Sequence, residues 1–160
     1  MKKIVFFDLD GTILSGLSSE NAFILYLLKK RKLGFKQWLK GFTFLLKWFP
    51  KFKKHVFIKN KAYLYGLSLD AIASIGKQFV SDDLLKNIRP LLRQRIEEHR
   101  QNGDQLVLLT GSPKFLADVF AEDLGMDEVK ATECSMVDAQ HFDCLPPIQH
   151  PFAEEKLFIA

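Results

Sequence analysis

Residues 4–12 read Ile4-Val5-Phe6-Phe7-Asp8-Leu9-Asp10-Gly11-Thr12 and carry the strongest structural signal in the chain. Four consecutive apolar residues followed at once by polar ones are typical of a buried parallel strand and its carboxyl end. Because side chains two residues apart point the same way in extended backbone, Asp8 and Asp10 should face one pocket, with Leu9 turned into the core. Converging carboxylates repel each other, and Mg²⁺ is the ordinary cation that stabilises such a pair. The Thr12 hydroxyl is expected to fix the loop.

A second strand of the same kind is predicted at residues 105–109, where five residues precede Thr110-Gly111-Ser112. A helix is predicted to follow this strand. Ser112 suits its N-cap, Pro113 suits its first position, and Gly125 is expected to end it. In open α/β sheets, ligands bind outside the carboxyl ends of the strands, and helix starts favour phosphate. Taken separately, the Asp pair could be a turn or cap and the Thr-Gly-Ser an N-cap, but together the two strand ends predict a phosphate site.

The rest of the sequence predicts helices around this parallel sheet. A helix should begin at Pro90 and end at Asn102-Gly103, and residues 129–133 should begin a third strand. Residues 134–151 are predicted to form turns or an irregular hairpin. Between residues 14 and 88 the pattern is helical throughout, which indicates a helical module inserted between the first two strands. Breaks in this module are expected at Gly34, Pro50, Gly66 and Gly76.

The composition favours a folded protein without a membrane span. The 160 residues are 48% hydrophobic and 26% charged, which excludes disordered and low-complexity classes. Lysines interrupt every apolar segment before it reaches the roughly 18–20 residues of a spanning helix. Cys134 and Cys144 form neither a disulfide framework nor a zinc motif, and Asp8 interrupts the N-terminal apolar run before it could act as a signal peptide. These features predict a cytoplasmic location.

The positive charge is concentrated in one segment. No acidic residue lies between Glu20 and Asp70, whereas twelve lysines and arginines fall there among many aromatic residues. Two interpretations stay open. The segment could lie on the inner face of an anionic membrane, which would suit a lipid-linked substrate, or its aromatic residues could pack a local core beneath solvated lysines. Nucleic-acid binding is disfavoured because no known binding module accompanies the segment.

The strand ends resemble two motifs of the haloacid dehalogenase-like (HAD) superfamily, in particular its phosphatases. Phe7-Asp8-Leu9-Asp10-Gly11-Thr12 is similar to the first motif, and Leu108-Leu109-Thr110-Gly111-Ser112-Pro113 to the second. The helical insertion is similar to the C1 cap of the phosphoserine phosphatase-like subgroup (HAD-IB type). The resemblance implies an α/β fold with a Rossmann-like parallel core at residues 1–13 and 89–160, and an all-helical cap at residues 14–88.

The resemblance also implies an Mg²⁺-dependent phosphatase that hydrolyses a small or lipid-linked phosphomonoester. Asp8 would be the nucleophile that forms an aspartyl-phosphate, and Asp10 would protonate the leaving alcohol and later deprotonate water. Mg²⁺ would bind the Asp8 carboxylate and the Asp10 main-chain carbonyl. Thr110 and Gly111 would bind the phosphoryl group. Glu20 does not match the position of the glutamate that selects phosphoserine in that subgroup.

The resemblance implies that the two remaining family motifs belong after the second one, toward the C-terminus. By spacing, Lys156 corresponds to the lysine that neutralises the nucleophile and the phosphate, although such a lysine could also be a solvated helix residue. The fourth motif, an acidic pair after a further strand, is missing up to Ala160. The resemblance therefore predicts a C-terminally incomplete core. The alternative function is that of a truncated or degenerate, non-catalytic relative that binds a phosphorylated partner or an anionic membrane through its basic cap.

Overall fold

The computed structural model describes residues 2–151, which form a three-stranded parallel sheet with helices. The helical segments also include one π-helical turn at Val80–Leu84 and short 3₁₀ turns at residues 53–55, 62–64 and 85–87. The elements, in chain order, are β1 (Ile4–Phe7), α1 (Ser19–Lys29), α2 (Phe35–Phe52), α3 (Val56–Lys59), α4 (Leu69–Phe79), α5 (Pro90–Gln101), β2 (Gln105–Pro113), α6 (Lys114–Leu124) and β3 (Glu128–Thr132).

The sheet has the order β1-β2-β3, and its register brings the strand ends together. Ile4 pairs with Gln105 and Phe7 with Leu108, so β1 and β2 deliver their following residues to the same edge. Residues 106–109 of β2 are buried, as expected for a central strand covered on both faces. The α/β architecture predicted from the sequence is therefore confirmed, and residues 134–151 form the expected irregular hairpin with isolated antiparallel bridges.

Several element boundaries follow from local sequence signals. Pro90 occupies the first turn of α5, and Gly125 ends α6 with a φ of +62°, a conformation that glycine adopts without steric cost. Two predicted breaks are wrong. Pro50 lies within the last turn of α2, where the helix is about to end, and Gly76 lies inside α4.

Gly76 is inside a helix because two helices approach closely there. A Cβ atom at this position would lie 3.0 Å from Leu116 and 3.1 Å from Phe115 of α6. The glycine therefore provides space for packing between α4 and α6 rather than a turn.

The apolar residues form two clusters. The main cluster joins the sheet to α1, α4, α5 and α6, and it includes Phe23, Leu27 and Phe79 from the inserted segment. A smaller cluster contains Phe44, Val56 and Ala62, with partly buried neighbours that include Trp48 and Phe52. None of the helices within residues 2–151 combines the length and the apolar character needed to cross a bilayer.

Candidate active site

The loop after β1 positions the two predicted catalytic aspartates. Gly11 has a φ of +82°, and its N–H donates to the Leu14 carbonyl at 3.0 Å, which closes a tight turn. Leu9 is fully buried, whereas Asp8 and Asp10 line the same cavity, as the alternation of side chains predicted. The Thr12 hydroxyl donates to Asp8 Oδ2 at 3.1 Å and so fixes the loop as expected.

Asp10 is held in place by three donors from two distant parts of the chain. The Ser19 N–H, in the first turn of α1, donates to Oδ1 at 2.7 Å, and the Ser112 hydroxyl donates to Oδ2 at 2.6 Å. The Ser19 hydroxyl lies 3.3 Å from Oδ2 and 2.6 Å from the Ser112 hydroxyl. A carboxylate at a helix N-terminus is also favoured by the helix dipole. The Asp10 carboxylate is therefore tied to both α1 and β2.

The end of β2 differs from the predicted helix cap. The strand continues to Pro113 and α6 begins at Lys114, so Ser112 does not cap the helix. Its hydroxyl binds Asp10, and its N–H donates to Thr110 Oγ1 at 3.1 Å. Because a threonine hydroxyl can accept one hydrogen bond and still donate another, Thr110 keeps a donor for a ligand oxygen. The pairing of β2 with β3 is irregular between Leu109 and Pro113, where this polar segment lies.

Both strand ends open into one cavity of about 510 Å³. Its lining joins the predicted residues with others from α1, α3 and the segment after α3: Asp8, Asp10, Ser18, Glu20, Asn21, Ile24, Phe57, Ile58, Asn60, Thr110, Gly111 and Ser112. The structure thus brings together Asp8, Asp10, Thr110 and Gly111, as predicted. Lys156 lies outside the described residues.

Glu20, which lines this cavity, forms a largely buried polar group with Lys61 and Tyr63. Lys61 is only 2% exposed and forms an ion pair with Glu20, while the Tyr63 hydroxyl donates to Glu20 at 3.0 Å. Burial and the adjacent Glu20 carboxylate raise the pKa of Tyr63 well above its usual value, so Tyr63 remains a protonated donor. The sequence interpretation placed Lys61 within the basic segment and missed this role, as it missed those of Ser19 and Ser112.

The oxygen donors of the site suit Mg²⁺. The part of the chain that the structure describes has no cluster of three or more His, Cys, Asp or Glu side chains that could hold a metal ion. Mg²⁺, however, commonly keeps several waters and uses only one or two carboxylates together with substrate phosphate. Asp8 and Asp10 both line the cavity, and their oxygens are donors of the kind that Mg²⁺ prefers.

Three solved structures share the fold at low sequence identity. A protein of unknown function from Bordetella pertussis Tohama I superposes with a TM-score of 0.77 and 18% identity, over 99% of this chain and 72% of that one. A phosphoserine phosphohydrolase-like protein from Francisella tularensis superposes with a TM-score of 0.52 and 18% identity, over 89% of this chain and 63% of that one. Cytosolic 5'-nucleotidase IIIB bound to cytidine superposes with a TM-score of 0.54 and 12% identity, over 93% of this chain and 55% of that one.

This chain therefore spans between about half and three quarters of the length of these structures. A search of curated proteins gave no significant match. The sequence model of the haloacid dehalogenase-like hydrolases, however, matches residues 5–156, nearly the whole chain. The match begins in β1 and includes both polar strand ends. The chain belongs to the haloacid dehalogenase-like hydrolase family.

Proposed function

We propose that the protein is an Mg²⁺-dependent phosphomonoester hydrolase in which Asp8 is the nucleophile. The observation that carries this proposal is the meeting of the two strand ends in one cavity, where Ser112 links β2 to Asp10 at 2.6 Å. Membership of a hydrolase family supports it further. Residues 1–13 and 89–160 would provide the catalytic core, and residues 14–88 the cap.

The reaction would proceed in two displacements. In the first, an Asp8 carboxylate oxygen attacks phosphorus, the ester P–O bond breaks, and protonated Asp10 gives its proton to the departing alkoxide. In the second, Asp10 takes a proton from water as the water oxygen attacks phosphorus. The bond between phosphorus and Asp8 then breaks, which releases phosphate and restores both carboxyl groups to their starting state.

The remaining residues of the site would position the phosphoryl group. The Thr110 hydroxyl has a proton to donate to a phosphoryl oxygen, and the Gly111 backbone allows close approach. Mg²⁺, held by the Asp8 carboxylate and the Asp10 carbonyl, would supply positive charge against the phosphoryl oxygens. Lys156 would add a second positive charge. We place this activity in the cytoplasm, in peripheral contact with an anionic membrane.

The decisive test is hydrolysis of para-nitrophenyl phosphate by the purified chain, with and without Mg²⁺. We expect turnover that requires the metal and is abolished in Asp8→Asn, because the amide cannot attack phosphorus. Asp82→Asn is the matched control, since Asp82 is exposed and is not part of the cavity lining. Turnover retained in Asp8→Asn would disprove the assignment, and a folded but inactive wild type would favour the non-catalytic alternative.

A further inference from the structure

Helix α2 has two apolar faces, and only one of them is covered. Phe44 is buried, and Trp48 and Phe52 pack beside it in the smaller apolar cluster. On the opposite side, six large apolar side chains are exposed. We call this set the outer face of α2, and it comprises Phe35, Trp38, Leu39, Phe42, Leu46 and Phe49.

The outer face is a continuous stripe rather than a scatter of residues. Its members recur at spacings of three and four, which at about 100° per residue places them within roughly 100° of the helix circumference. Their exposure is large, from 50% at Leu39 to 80% at Phe35. Contiguous exposed apolar surface of this kind marks an interaction site.

The charges next to the outer face select the kind of partner. Lys36, Lys40, Lys47 and Lys51 fall together on one flank of α2, between the stripe and the face that carries Phe44, and no acidic residue occurs anywhere between Glu20 and Asp70. A second copy of the chain would bring these lysine rows close to one another, which costs electrostatic energy. A nucleic acid would meet an apolar centre instead of cations. An anionic bilayer satisfies both features, because acyl chains would cover the stripe and the negatively charged lipid surface would attract the basic segment.

The outer face also leads to the candidate active site. An apolar groove of about 350 Å³ between α1 and α2 is lined by Trp38 and Phe42 of that face. Ile24, Phe57 and Asn60 line both this groove and the cavity that contains Asp8. A molecule with a phosphate at Asp8 and an apolar tail would therefore find adjacent polar and apolar space.

We infer that the outer face of α2 docks the protein on an anionic lipid bilayer and that the active-site cavity takes the phosphate of a lipid phosphomonoester. The docking part depends only on α2 and its lysines. The substrate part rests on the proposed phosphatase function.

Docking is tested by sedimentation with vesicles of phosphatidylcholine alone or mixed equally with phosphatidylglycerol. We expect binding to the anionic vesicles that weakens as salt is added, because salt screens the lysines. Leu46→Gln/Phe49→Gln should weaken it by about 10- to 100-fold, since two apolar side chains are lost from the contact. Leu91→Gln is the matched control, because Leu91 is 62% exposed on a helix of the core.

Tryptophan fluorescence gives an independent measure of depth. The chain has two tryptophans, Trp38 on the outer face and Trp48 in the smaller cluster. In Trp48→Phe, lipids brominated in their acyl chains should quench the remaining emission strongly. In Trp38→Phe, quenching should be weak. Absence of anionic binding, equal binding by the double variant, or equal quenching in the two tryptophan variants would overturn the docking.

The substrate part is tested with phosphatidic acid in the anionic vesicles beside para-nitrophenyl phosphate in solution. The double variant should lose phosphatidic acid hydrolysis about as much as it loses vesicle binding, and keep hydrolysis of the soluble ester. Hydrolysis of the soluble ester without that of phosphatidic acid would overturn the lipid substrate. Failure of the wild type on both esters would overturn the phosphatase function, while vesicle binding would still decide the docking.

Discussion

At the residue scale, the hydrogen bond from Ser112 to Asp10 is the contact on which the site most depends. It joins residues 102 positions apart and is one of three hydrogen bonds that hold the proposed proton carrier. Hydrogen bonds to charged groups contribute about 1.5–3 kcal/mol. In the proposed reaction, Ser112 would therefore be a positioning residue that acts through Asp10.

Replacing Ser112 should slow turnover without much effect on substrate binding. In Ser112→Ala we expect kcat for para-nitrophenyl phosphate to fall by roughly 10- to 100-fold, as the loss of about 1.5–3 kcal/mol would give. KM should change little, and Ser112→Thr, which keeps the hydroxyl, should recover part of kcat. Ser74→Ala, at an exposed position of α4, is the control. A variant that loses stability but keeps kcat would contradict the positioning role.

His150 contributes a dependence of stability on pH. Burial, together with Lys61 and Lys59, lowers the pKa of His150 from 6.5 to about 3. Below pH 6.5 the unfolded chain binds a proton at this histidine and the folded chain does not, so acid favours unfolding. Its contribution to stability is complete above pH 6.5 and is lost as the pH falls toward 3.

We expect the free energy of unfolding to fall with acid more steeply in the wild type than in His150→Gln. The difference in slope should approach about 1.4 kcal/mol per pH unit between pH 6 and 4. Urea unfolding at several pH values measures it. Parallel curves for the two proteins would show that His150 is not the group responsible.

At the element scale, the ion pair between Glu20 and Lys61 ties α1 to the segment after α3. Breaking one partner of a buried pair typically costs 3–5 kcal/mol, because the other charge is left without compensation. The Tyr63 hydroxyl supports Glu20 but cannot replace the positive charge. The ion pair between Glu20 and Lys61 therefore fixes the cavity wall, although removing the two charges from water costs free energy.

Lys61→Met should destabilise the protein by about 3–5 kcal/mol, and adding Glu20→Gln should restore much of the loss, since the uncompensated carboxylate is then removed. The measurement is denaturant unfolding of both variants. Lys77→Met provides the control, because its pair with Glu122 is exposed and should contribute little. Equal effects of Lys61→Met and Lys77→Met would contradict the importance of burial.

At the scale of the whole molecule, the two apolar clusters predict unequal stability. The main cluster spans the sheet and four helices, whereas the smaller one depends on Phe44 and a few neighbours of α2. Phe44→Ala should lower the stability of the smaller cluster by about 3–5 kcal/mol. Hydrogen exchange should then accelerate in α2 while β2 amides stay protected. Uniform acceleration across α2 and β2 would indicate a single cooperative unit.

The packing of the inserted segment confirms that some of its aromatic residues form a local core, while membrane contact by the exposed ones stays a proposal. Phe44, Trp48 and Phe52 form a local core, whereas Trp38 and Phe49 are 64% and 54% exposed on the outer face. Helical spacing predicts two faces of a helix, but not which face meets other elements. The covered face of α2 is the one that meets α3 and the turn at residues 62–64, because Val56 and Ala62 pack against Phe44.

The sequence by itself determined the strands, the α/β class and the meeting of Asp8, Asp10, Thr110 and Gly111 at one cavity. Those follow from local rules: apolar runs form buried strands, and parallel strands place the residues after them at one edge of the sheet. Only the tertiary structure decided that Ser112 binds Asp10, that Lys61 is buried, and that Gly76 stays helical. These outcomes depend on partners far away in sequence, and no local periodicity encodes which distant side chain will be adjacent once the core has packed.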